Sequence, residues 1–206
     1  DGDGWPHIGY YDALAPALRY AYRDGSGWQV ETADAGEVGE YVSLALDGSG
    51  RPHLSYYDMV GETLRYAYLD GSGWHTETVD ASGDVDGHIS LALDGAGRPH
   101  ISYHDWASDV LRYAWYDGDE WRFYTVDTQG ESVGWYTSLA VLEDKVAVAY
   151  WTTGGLRYVT LDHKSETSTS AETGTGGGGG GGTLRRVRAL AEGCLLYTSD
   201  AADEGL

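Results

Sequence analysis

A chain of 206 residues with a formal charge of -20 lacks the basic surface that nucleic acid or an anionic membrane would require. Its 17 Tyr, 8 Trp and 31 Gly stand against one Met and one Cys, a composition of short strands and tight turns that excludes a disulfide scaffold and a thiolate metal site. No apolar run approaches the ~18 residues of a membrane-spanning helix, so no membrane insertion is expected, and no signal peptide opens the chain.

The first residues, DGDGWPH, read as the end of a turn between two strands. The first structural unit is therefore expected to lack its first strand, and the sequence to be truncated at its N-terminus. The stretch LRYAYRDGSGW (18–28) returns as LRYAYLDGSGW (64–74) and LRYAWYDGDEW (111–121). With it recur Pro6, Pro52 and Pro99, then Tyr10, Tyr56, Tyr103 and Tyr150, then Trp28, Trp74 and Trp121, at a period of 46 or 47 residues. Such a period belongs to propeller blades or solenoid units. One period predicts four strands, A to D from the axis outward: SLALD (43–47), PHLSYYD (52–58), TLRYAYL (63–69) and WHTETVD (74–80). Four strands in ~45 residues make a propeller blade. Asp and Gly in GSGR, GAGR, DGSG and DGDE supply the backbone angles of tight hairpins.

A fourth copy begins at LRYVTLDHKS, and VAVAYWTTGG before it has lost the Pro-His pair and the Asp that ends strand B, as a terminal unit does. The expected fold is all-β: a propeller fragment of four-stranded antiparallel blades, three plus a partial fourth, over residues 1–162. A Ser/Thr/Gly-rich linker spans 163–183, and 184–206 is expected to be a non-native tail. Within it CLLYTSDAADE (194–204) resembles the translation of a sequencing-library adapter, which leaves Cys194 without functional weight.

The run DGSGRPHLSYYD followed by LRYAYLDGSGW is similar to the repeat of secreted bacterial β-propellers in the sialidase-like (Asp-box) and fucose-lectin-like group. DGSGW occupies the C to D turn where the Asp-box S-x-D-x-G-x-T-W lies, with an Asp to Trp spacing of four rather than five. The resemblance implies a secreted or cell-surface bacterial protein whose export signal belonged to the missing N-terminus.

In such a blade the A–B and C–D turns share one rim and the B–C and D–A loops the other. The first rim hardly changes between copies. The second varies as ALAPA, MVGET and WASD, and as AGEVGEY, ASGDVDGH and TQGESVGWY, so binding is expected there. Asp12, Asp58 and Asp105 end strand B at that rim. Two readings stand open for them: a ring of carboxylates for sugar hydroxyls or Ca²⁺, or hydrogen-bond acceptors for their own loops. Asp80, Asp84 and Asp86 have oxygen-ligand spacing for Ca²⁺ without the distal Glu of an EF-hand; no other cofactor is expected. Trp106 and Trp135 are non-repeated aromatics of this rim, with His88 beside them. Exposed, they stack on sugar; buried, they are extra packing. Arg19, Arg65, Arg112 and Arg157 are expected to stack on aromatics or pair with an acid of the next blade, and His7, His53 and His100 to be hydrogen-bonded core residues.

The leading functional expectation is a non-catalytic recognition module for a glycan or another cell-surface ligand. The alternatives are a sialidase-like glycoside hydrolase, which needs two positioned carboxylates, and a protein-binding scaffold.

Overall fold

The computed structural model describes residues 1–82, 85–128, 133–142, 145–162 and 185–186, and leaves out the side chains of residues 86, 185 and 186. The Ser/Thr/Gly tract at 163–183, the tail at 187–206 and Asp84 lie outside the described residues. No helix occurs among them; fifteen strands form four antiparallel sheets. Sheet I holds β1 (His7–Asp12), β2 (Ala17–Asp24) and β3 (Gly27–Ala35). Sheet II holds β4 (Val38–Leu46), β5 (Pro52–Asp58), β6 (Thr63–Asp70) and β7 (Gly73–Asp80). Sheet III holds β8 (Val85–Leu93), β9 (Pro99–Asp105), β10 (Val110–Tyr116) and β11 (Trp121–Asp127). Sheet IV holds β12 (Trp135–Leu142), β13 (Lys145–Thr152), β14 (Gly155–Asp162) and a two-residue strand, β15 (Arg185–Arg186), beside the end of β14. Each sheet runs in chain order, and the inner strands β4, β8 and β12 touch in succession. The chain is thus a partial propeller of four blades, I to IV.

The hairpins are made by aspartates. Asp47 Oδ1 accepts from the backbone N–H groups of Ser49 and Arg51 at 2.8 and 2.9 Å, and Oδ2 from Arg51 Nε at 2.7 Å; Asp94 repeats this with Ala96 and Arg98. Burial opposes ionisation of Asp47, but the Arg51 donors outweigh it and hold the carboxyl at about 2. At the C–D turns Asp24 and Asp70 each accept the N–H of the serine two residues on, at 2.7 Å.

Alternation along strand C sends Leu64 and Tyr66 to one side and Ala67 to the other. Leu18 and Tyr20 of blade I join Leu54, Tyr56 and Ala67 of blade II in one cluster, and Leu64 and Tyr66 join Ile101, Tyr103 and Ala114 in the next. Alanine is required where the larger rings of the preceding blade arrive: Ala67 and Ala114 are fully buried. The inner strands are also stitched laterally, with Leu91 N–H donating to Ser43 Oγ at 2.9 Å and Leu139 N–H to Ser90 Oγ at 3.0 Å.

Strand A begins earlier than its alternation indicates. β4 starts at Val38, not Ser43, and carries register shifts between Val38 and Ser43; β8 and β12 are irregular at the same place. The residue inside each irregularity is left-handed: Tyr41 at φ 51°, His88 at 58° and Tyr136 at 49°. A bulge breaks the period of two, so a stretch that reads as a D–A loop is the outer half of strand A.

Candidate functional site

Two kinds of feature stand at the blade junctions. The first is a clamp. A bulge on strand D of blade II, where Val79 is the extra residue opposite Leu64 and Arg65 of strand C, frees Asp80 to face blade III. There Tyr103 Oη donates to Asp80 Oδ2 at 2.5 Å and Arg112 Nη1 lies 2.8 Å from the same oxygen. Asp34 receives Tyr56 Oη at 2.6 Å and Arg65 at 2.9 Å, and Asp127 receives Tyr150 Oη at 2.7 Å and Arg157 at 2.9 Å. Arg65, Arg112 and Arg157 therefore pair with the acid of the preceding blade, not the next, while Arg19 meets Asp12 and Thr32 of its own blade. Arg65 and Arg112 also lie 5.8 Å from the centroids of the Tyr56 and Tyr103 rings.

The second feature is a cleft on the rim of A–B and C–D turns. Register sets His53, Tyr68 and His75 side by side on β5, β6 and β7. Their rings form a near-parallel row, 6.1 Å and 21° between His53 and Tyr68, then 4.9 Å and 15° between Tyr68 and His75. This row lines a cleft of about 480 Å³ with Arg51, Asp70, Thr76 and Glu77 from blade II and Pro99 and Tyr116 from blade III. That volume lies inside the roughly 300–1,000 Å³ of small-ligand sites. A second cleft of about 430 Å³ stands at the junction of blades I and II, with His7, Tyr22 and Glu31 facing Arg51 and Pro52. In blade III the place of Tyr68 is taken by Trp115, which is 8% exposed.

The two junctions differ in the third place of the row, where Gln29 stands opposite Tyr22 and His75 opposite Tyr68, and in one hydrogen bond. Trp74 Nε1 donates to Glu31 Oε2 at 2.9 Å across the I–II junction. The equivalent Trp121 packs edge-on against Tyr66 and Tyr116, yet its Nε1 is buried with no acceptor among the described residues. Glu77, the counterpart of Glu31, lines the II–III cleft as Glu31 lines the other. The Ser72 hydroxyl and N–H, with His75, hold the Asp70 carboxyl down at about 2. Burial lowers the pKa of His53, against an opposing pull from Asp47. His53 Nδ1 meets Tyr66 Oη, as His7 meets Tyr20 and His100 meets Tyr113.

The residues singled out on the variable rim fall into three groups. Asp12, Asp58 and Asp105 each accept from their own B–C loop: Asp12 from Leu14 and Ala15 at 3.1 Å, Asp58 from Val60 and Gly61 at 3.0 Å, Asp105 from Ser108 at 3.1 Å. Asp80 is held by the clamp and by Ser82 N–H at 2.8 Å, while Asp86 sits on β8 opposite His104. No group of three potential metal ligands assembles among the described residues. Trp106, Trp135 and His88 are brought together, with His88 5.7 Å from Trp135 and Trp135 6.4 Å from Trp106. Sequence reasoning missed the cleft residues because it took recurrence in every blade as maintenance of the fold. The signal was present in the in-register His, Tyr and His of strands B, C and D.

No family model and no curated protein matches this sequence. Solved structures match its fold. A point variant of the Aleuria aurantia lectin in complex with Fucα1-6GlcNAc is 15% identical with a TM-score of 0.55, covering 75% of this chain and 52% of its own. A protein of unknown function from Dyadobacter fermentans is 14% identical with a TM-score of 0.60, covering 80% and 52%. A further structure of the Aleuria lectin, described as a six-bladed β-propeller with a novel fucose recognition mode, is 13% identical with a TM-score of 0.49, covering 76% and 52%. The chain spans about half the length of these structures, and at such identities the likeness establishes an all-β, propeller-like fold of four-stranded antiparallel sheets.

Proposed function

We propose that the propeller is a carbohydrate-recognition module and that the cleft between blades II and III holds a neutral sugar. The observation that carries this reading is the in-register row of His53, Tyr68 and His75 along a cleft edged by Arg51, Thr76 and Glu77. Aromatic faces take the C–H face of a pyranose, and charged side chains at the edge fix its hydroxyls. The structural neighbour from Aleuria is a lectin in complex with a fucosylated disaccharide, which supports the same ligand class. Glycan recognition fits the secreted or cell-surface setting that the sequence leads us to expect.

The test is a glycan array led by neutral monosaccharides and fucosides, followed by titration of His75→Ala and Glu77→Ala. Both side chains are on the rim, so folding should survive. Loss of the His75 face should weaken binding roughly ten- to a hundredfold, by analogy with bases stacked on aromatic side chains. Unchanged affinity in both variants would refute the cleft, and an array without any bound glycan would refute the carbohydrate reading.

A further inference from the structure

The opposite rim carries a second row of rings that the cleft does not use. Tyr41, His88 and Tyr136 hold equivalent positions in successive inner strands, and each is left-handed, with φ between 49° and 58°. A bulky residue there is an outlier that costs about 1–3 kcal/mol, where glycine would cost nothing. Strain of this kind, kept in three successive blades with a ring each time, points to a use for the rings. His88 lies 6.0 Å from Tyr41 and 5.7 Å from Trp135, inclined 18° to the latter. Tyr136 meets His88 edge-on at 4.4 Å, and Trp106 from the B–C loop of blade III extends the row beyond Trp135 at 6.4 Å and 30°.

The row is open to solvent above and polar below. Tyr136 is 70% exposed, Trp106 52% and Tyr41 49%. Next to Trp106 and Trp135, the fully buried His104 gives Nε2 to Asp109 at 3.1 Å, while its Nδ1 has no partner among the described residues. Trp135 Nε1 is likewise buried, with no acceptor among the described residues. Because the inner strands of three blades contribute, the row runs around the propeller axis and is longer than a single sugar ring.

We infer that this rim is a second binding site, which takes a neutral oligosaccharide chain by stacking successive pyranose rings on Tyr136, Trp106 and Tyr41. It shares the ligand class of the proposed function but not the cleft. Neutrality follows from the charge of -20, which repels anionic glycans. A chain follows from the number of rings and their succession across blades. Half-exposed Trp and Tyr faces favour a polyhydroxylated ring, which offers C–H to the face and hydroxyls to the partly exposed Asp109 near Trp106.

The experiment titrates the full chain with neutral β-linked hexose oligosaccharides of increasing length and with the monosaccharides bound by the cleft. Affinity should rise with chain length. Trp106→Ala and Tyr136→Ala should lower oligosaccharide affinity roughly ten- to a hundredfold and leave monosaccharide binding unchanged, while His75→Ala does the reverse. Tyr136→Gly should raise Tm while losing the oligosaccharide, since it removes the left-handed cost together with an exposed ring. Affinity independent of length, or unaltered by both rim variants, overturns the inference and leaves the cleft standing. A lowered Tm for Tyr136→Gly also overturns it, because the ring would then serve the fold. Length-dependent binding lost only in the rim variants, with no monosaccharide bound, supports the rim and removes the cleft.

Discussion

Replacing Asp80 by Ala tests the clamp that joins blades II and III. The Asp80 side chain is 4% exposed and that of Arg112 21%, while Tyr103 is fully buried. The variant removes three hydrogen bonds to a charged acceptor, from Tyr103 Oη at 2.5 Å and from Arg112 Nη1 and Ser82 N–H at 2.8 Å each. It strands the Tyr103 hydroxyl away from water, which costs about 1–3 kcal/mol. Arg112 keeps Ser82 Oγ at 2.8 Å and Asp105 at 3.5 Å, so its charge is not left alone. The expected loss is therefore about 3 kcal/mol, the low end for breaking a buried pair, or a Tm lower by about 6–12 °C. Asp34→Ala should cost less, because that carboxylate is 16% exposed. The assay is urea unfolding, with Tyr103→Phe closing a double-mutant cycle. A loss under about 0.5 kcal/mol, or strict additivity in the cycle, would refute the reasoning. The clamp also has a pH signature. Burial works against ionisation of Asp80, but Ser82, Tyr103 and Arg112 prevail and its pKa is lowered in the folded state. The unfolded state then binds its proton first as pH falls. The stabilisation is complete above the unfolded carboxyl value of about 3.9 and disappears as pH drops through the lower folded value, and Asp80→Ala should flatten that acid limb.

Two further substitutions examine the junctions. Trp74→Phe should lose about 1–2 kcal/mol more than Trp121→Phe in chemical unfolding, because both lose the same ring area and only Trp74 loses a hydrogen bond to a carboxylate. Equal losses would mean that the Glu31 contact contributes nothing. Gly9→Ala should destabilise by about 1–2 kcal/mol, since a Cβ there would lie 2.6 Å from Leu54 Cδ2 and 3.1 Å from Val42 Cγ2 in the I–II core; an unchanged Tm would show that this interface yields.

Most of the fold was legible because the blade is written in local signals that agree. Strand C was expected at 63–69 and runs Thr63–Asp70, bounded by an Asp-led turn and filled by alternating Tyr and small residues. Strand A was legible only in its inner half, since Tyr41, His88 and Tyr136 sit where the chain turns left-handed and alternation fails. At the rim, Trp106, Trp135 and His88 could be picked out as departures from the repeat. Tyr41 and Tyr136 could not, because nothing in one sequence marks a Tyr in an apparent loop as belonging to a row of rings. The cleft was hidden by a different cause. A blade has two faces, and every junction joins the C face of one copy to the B face of the next, so any junction site is built from residues that recur. His53 and Tyr68 recur as His7 and Tyr22 for that reason. Recurrence therefore cannot separate a fold-maintaining residue from a ligand-facing one. The distinction lies in what breaks the recurrence inside a junction, as when Trp74 has Glu31 for an acceptor and Trp121, one blade later, has none among the described residues.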